Sequence, residues 1–107
     1  MSCHNNIIRG YDRGYLNWLR NTIHTDAVDH GLWNEESPYE AACRIGDEVE
    51  ELMDAARDRE HFAEELADVI IMVLSTAGHL DIDIHGAVMK KMDINRIRPY
   101  RHEVIEK

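Results

Sequence analysis

The sequence predicts an all-α protein, a four-helix antiparallel bundle in one domain over residues 1–107, completed by oligomerisation. Three observations carry this. Apolar residues recur at helical spacing through most of the chain. No sustained period-2 alternation bounded by turn residues occurs. The two prolines stand at positions 38 and 99, so nothing interrupts long helices between them.

The first helix is expected from about Ile7 to Ile23, with Tyr11, Tyr15, Trp18 and Leu19 at helical spacing. A polar loop follows, through Asp29, Gly31, Asn34 and Glu35. Ser37-Pro38 then opens a second helix. Ser37 fits the N-cap, Pro38 the first helical position, and Glu40 completes a capping box. Its core stripe is Ala41, Ile45, Val49, Leu52 and Ala56. A charged break at Arg57–Glu60 leads to a third helix that buries Phe62, Leu66, Val69, Ile70, Val73 and Ala77, with Gly78 helping to end it. Asp81-Ile82-Asp83 caps a fourth helix from about Ile84 to Ile97, stopped by Pro99. Four helices with short connections pack as a bundle. The aromatics of the first helix are too many for a monomer's exposed face, so a homodimer or homotetramer is expected.

The 107 residues carry a formal net charge of −9, with 44% hydrophobic and 31% charged residues. That is a globular composition. The acidic excess argues against a nucleic acid partner and suits a substrate that brings its own cations. Cys3 and Cys43 form neither a disulfide framework nor a zinc pattern, and Cys43 is expected to be a buried small residue. The longest apolar run, Val69–Leu74, is far too short to span a bilayer, and the N-terminus shows no apolar signal segment. A cytoplasmic protein, or one in host cytoplasm if phage-encoded, is the expectation, with no membrane partner.

The acids of the second and third helices carry the chemistry. Glu48 and Glu51 are three apart, as are Glu65 and Asp68, so each pair shares a helix face. Residues 52–64 allow one helix to finish and an antiparallel neighbour to begin. The two pairs can then face each other beside Val49, Leu52, Leu66 and Val69. Close like charges cost about 4 kcal/mol per contact at an effective dielectric near 20. No Lys or Arg lies at the right spacing within these helices to offset them. A divalent metal ion would, and all-oxygen ligation suits Mg²⁺ or Mn²⁺ better than zinc. Taken alone, E-x-x-E followed by E-x-x-D suits a solvated face as well. Asp47, Glu50 and Glu64 belong to such a face. A di-iron bundle would want Glu-x-x-His pairs, and none of the seven histidines has a Glu three residues before it.

Three blocks, Ile45–Leu52 (IGDEVEEL), Glu64–Ile70 (EELADVI) and Lys91–Arg98 (KMDINRIR), together resemble the MazG-like nucleotide pyrophosphohydrolases of the all-α NTP pyrophosphatase superfamily. The resemblance covers about residues 33–100. It implies hydrolysis of a (deoxy)nucleoside triphosphate to the monophosphate and pyrophosphate, as a house-cleaning or pool-adjusting activity. It implies Mg²⁺, with Mn²⁺ able to substitute, held by Glu48, Glu51, Glu65 and Asp68. Glu48 or Glu51 would also orient or deprotonate the attacking water. Lys91 and Asn95 match positions that meet phosphate or sugar, with Arg98 and Tyr100 as companions. The spacing agrees, because Lys91, Asn95 and Arg98 follow i, i+4, i+7 on one helix face. A basic last turn complementing the helix dipole would look the same.

Trp33 is a candidate for stacking on the base, or a structural loop anchor. Asn17, with Tyr15 and Trp18, could line a base pocket, although core or dimer packing also suits the two aromatics. Met72 stands one turn after Asp68, where some relatives carry an aromatic. A wider pocket there leans to a purine, dGTP or GTP. His24, His30 and His79 are expected to be structural or solvated. The alternatives are a dUTPase-like or phosphoribosyl-ATP pyrophosphohydrolase, or a non-catalytic nucleotide-binding helical protein.

Overall fold

The structure is a computed structural model that describes residues 14–31 and 37–97. These residues form four helices and no strand: α1 (Tyr15–Asp29), α2 (Pro38–Asp54), α3 (Arg59–His79) and α4 (Ile84–Ile97). The all-α class is as expected. The expected start near Ile7, with Tyr11, lies outside the described residues.

α1 starts after Gly14, whose φ of 105° and ψ of 151° are almost confined to glycine. A Cβ there would run into the His85 ring, so this glycine lets the starts of α1 and α4 meet. The helix does not end at Ile23 but runs on to Asp29. Ala27 is buried and Ile23 half-buried, so the apolar stripe continues beneath the polar Thr25 and Asp26.

α2 opens as expected. The Ser37 side chain accepts from Glu40 N at 3.1 Å, and Ser37 N donates to Glu40 Oε1 at 2.9 Å. Together they satisfy two of the orphan amides of the first turn. Ala41 is buried, with Ile45 and Leu52 half-buried, but Ala55 replaces Ala56 at the end of the stripe and Val49 is exposed. Cys43 is exposed, against expectation. At 100° per residue it stands on the far side of the helix from Ala41.

α3 is the centre of the fold: α1 and α2 both pack on it, whereas α4 packs mainly on α1. Leu74, Ser75 and Ala77 are buried on α3. Leu66 and Ile70, expected in the core, are 44% and 52% exposed, because no helix among the described residues covers that side of α3. Gly78 lies in the last turn of the helix, and its carbonyl takes part in the terminating motif. A Cβ on it would lie 2.6 Å from His24 Cβ, so it permits the close approach of α1. The helix ends one residue later, at His79, in a Schellman motif, with Ile82 N donating to Ala77 O, Asp81 N to Gly78 O, and Asp81 left-handed at φ 57°. Asp83 caps α4 by accepting from Gly86 N at 2.9 Å, and the bounds of α4 match expectation.

A polar joint fastens α1 to this turn. Asn17 and Arg20 are both buried. Asn17 Nδ2 donates to Asp83 Oδ1 at 2.7 Å, and Asn17 Oδ1 accepts from His85 N at 3.1 Å. Arg20 donates to Ile82 O and to Asn21 Oδ1. The Asn17 hydrogen bond, then the Gly86 amide, hold the Asp83 carboxyl below its ordinary range.

Candidate functional site

The E-x-x-E pair stands on α2 and the E-x-x-D pair on α3, and the packing of these helices brings the pairs together. Glu48, Glu65 and Asp68 each place a carboxylate oxygen within 4.8 Å of the others. Glu51 adjoins them. Its carboxyl is pushed above the usual range by the Glu48 charge first, then by burial, by the Glu65 and Asp68 charges, and by a side-chain hydrogen bond with Glu65. All four expected acids therefore belong to one electrostatic cluster. Asp47, Glu50 and Glu64 are exposed, as expected of a solvated face.

Glu65 is the most informative of the four. Its side chain is only 15% exposed. Its Oε1 is buried and has no hydrogen-bond partner among the described residues. Such an acceptor costs roughly 1–3 kcal/mol, and more when charged. Its other oxygen, Oε2, lies 3.3 Å from His61 Nε2. In sequence, His61 stands out only as the nearest approach to a di-iron pair, three residues after Asp58 at the helix break; its pairing with Glu65 follows from the i, i+4 spacing. The three converging carboxylates and the all-oxygen donor set fit a divalent cation.

A cavity of about 300 Å³ lies beside this cluster, between α1 and the α2–α3 pair. Ile23, Ala27, Ile71 and Met72 form apolar wall, and Asp26, His30, Arg44 and Ser75 bring polar groups. Asp26 and Arg44 were not singled out from the sequence, because each sits off the core stripe of its helix.

The remaining expected site residues separate. Asn17 is part of the α1–α4 joint. Lys91 is exposed and Asn95 half-buried on α4, the helix that packs mainly on α1. Trp33, Arg98 and Tyr100 lie outside the described residues. Tyr15 and Trp18 stack on each other, with ring centroids 5.4 Å apart.

This chain is similar to a dATP/dGTP diphosphohydrolase of cyanophage S-2L. The two are 35% identical over 71 residues, covering 66% of this chain and 66% of that protein. The match thus spans just under two thirds of the relative's length. It was found with neither a matching family model nor a matching solved structure, since no family model and no solved structure matches this chain. Among the described residues no helix is long and apolar enough to cross a membrane.

Proposed function

We propose that this chain is a MazG-like, Mg²⁺- or Mn²⁺-dependent pyrophosphohydrolase that converts a (deoxy)nucleoside triphosphate and water to the monophosphate and pyrophosphate. The carrying observation is the convergence of the Glu48, Glu65 and Asp68 carboxylates, whose oxygens lie within 4.8 Å of one another, with the Glu65 side chain largely buried. A nucleotide–cation complex would supply what this cluster lacks. The similarity to a phage diphosphohydrolase supports the same reading.

Glu48, Glu65 and Asp68 would hold the cation. A bound divalent ion supplies neutralisation of phosphate charge and a more acidic water. Glu51, outside the three-oxygen set but beside it, takes the proton of the attacking water. The water oxygen bonds to the α-phosphorus, the bond from that phosphorus to the α–β bridging oxygen breaks, and pyrophosphate leaves with that oxygen. His61, against Glu65 Oε2, fixes the carboxylate so that Oε1 stays turned into the cluster.

Lys91 and Asn95, with Arg98 and Tyr100, are the groups we assign to phosphate and sugar. Because α4 packs on α1, their contact with a nucleotide at α2–α3 calls for a second copy of the chain. The exposed Leu66, Ile70 and Ile71 on α3, and Met89 and Met92 on α4, are apolar surface available to such a homo-oligomer.

The test is anion-exchange analysis of products after incubation with each NTP and dNTP plus Mg²⁺ or Mn²⁺. Monophosphate and pyrophosphate that disappear with EDTA are expected. Survival of every triphosphate with both metals would withdraw the hydrolase reading. Tight nucleotide binding without turnover would favour a non-catalytic binder instead.

A further inference from the structure

We infer that the cavity beside the carboxylates receives the nucleobase, and that Asp26 and Arg44 read its edge and make the site select guanine. This deepens the function proposed above and rests on it.

Register places the cavity correctly. Arg44 precedes Glu48 by four residues on α2, and Met72 follows Asp68 by four on α3. Four residues are one helical turn, about 6 Å of axis. Both helices that carry the acids therefore continue directly into the cavity walls. One turn is the reach of a single pentose, so a phosphate held at the carboxylates delivers its base there. The volume, about 300 Å³, is at the low end of small-molecule sites. Ile23, Ala27 and Met72 offer flat apolar contact to a purine ring.

The polar groups then choose among purines. Guanine presents N1–H and the 2-amino group as adjacent donors, which one carboxylate accepts together. Its O6 and N7 are acceptors that one guanidinium can bridge. Asp26 on α1 and Arg44 on α2, both lining the cavity, supply those two complements. The Asp26 end of α1 is braced by His30, whose Nδ1 lies 2.8 Å from Asp26 O. Adenine would set its N1 acceptor against the carboxylate and its 6-amino donor against the guanidinium. Each mismatch sets acceptor against acceptor or donor against donor, a repulsion that disfavours adenine. Hypoxanthine keeps N1–H and O6 but loses the 2-amino group, and falls between.

The test has a kinetic and a binding arm. The kinetic arm compares kcat/KM for dGTP, dITP and dATP with Mn²⁺ in the wild type, Asp26→Ala and Arg44→Met. The expected order is dGTP, dITP, dATP, with dGTP favoured over dATP about tenfold or more. Each substitution should collapse that ratio about tenfold. The binding arm titrates dGMP and dAMP into the same proteins by calorimetry. It should show dGMP binding best to the wild type and weakened in both variants. Both residues are exposed, and circular dichroism checks that the variants stay folded. Turnover with a dGTP:dATP ratio within twofold of unity, or unmoved by either substitution, overturns the base assignment and leaves the hydrolase standing. With no turnover at all the hydrolase reading fails, and the binding arm decides alone: selective dGMP binding lost in the variants upholds the base pocket, and equal or absent binding overturns it.

Discussion

Two polar clusters sit on this small fold, and they are opposites. At the α1–α4 joint the partners are complementary: an amide, a guanidinium, a carboxylate and backbone groups join in hydrogen bonds as short as 2.5 Å. At the α2–α3 end three carboxylates crowd within 4.8 Å and a fourth is driven toward its protonated form by them. The first cluster completes itself, as buried polar groups normally do. The second waits for charge from outside. Polarity alone does not mark a site; the sign of what is left uncompensated does.

The strongest way to break this contrast is to neutralise an acid at each place. Glu65→Gln or Asp68→Asn should reduce turnover by several kcal/mol, on the order of 10³-fold. The metal-free melting temperature should hold or rise, because a repulsion is removed. If the fold collapses with the activity, the acids are structural. Next in size is the response to cation. Mn²⁺ or Mg²⁺ at about 100 times its Kd should stabilise the wild type by about 2.7 kcal/mol in thermal unfolding. Glu65→Gln should lose most of that shift, and EDTA should reverse it.

At the joint, Asn17→Ala strands the Asp83 carboxylate and the His85 amide. A cost of about 2 kcal/mol would lower the melting temperature by roughly 10 °C in a domain of this size. An unchanged melting temperature would show that the joint is not a fastening. A base-pocket role for Asn17 would instead appear as a change in nucleotide affinity with little change in stability.

The smallest effect is pH dependence, and its sign differs between regions. The raised Glu51 carboxyl gives stability at low pH that is lost as pH rises through its elevated value. Asp83, held low, gives stability above its ordinary value that is lost as pH falls through its depressed one. His24 is held below its ordinary value by burial first, then by His79 and Arg20. It likewise favours the fold above its ordinary range, and that stability goes as pH falls through its depressed value. In metal-free protein, the stability gained by Glu48→Gln over wild type should therefore grow as pH rises above the ordinary carboxylate range, and Mn²⁺ should cancel that growth. A flat difference would separate Glu51 from Glu48.

What was legible in the sequence follows the range of the interaction. The Ser37–Glu40 box and the Asp83 cap are contacts over three residues, and both were expected where they are found. The acids of α2 and α3 were legible because helical spacing fixes each pair and a short connection brings the pairs together. Asn17 and Asp83, 66 residues apart, meet only through the packing of α1 on α3, which no local pattern encodes. The exposure of Leu66 and Ile70 was missed for a related reason. Periodicity marks an apolar face but not what covers it.

The connection Ala55–Asp58 between α2 and α3 has a consequence for how the molecule forms. Glu51 and Glu65 are separated by little more than that turn, so bringing them together closes a short loop at small entropic cost. Such local pairings form ahead of distant ones. The α2–α3 hairpin can therefore assemble its acids before α1 returns to dock on α3. A divalent ion present during refolding would clamp this first helix pair, and so would act on the route to the fold as well as on its end.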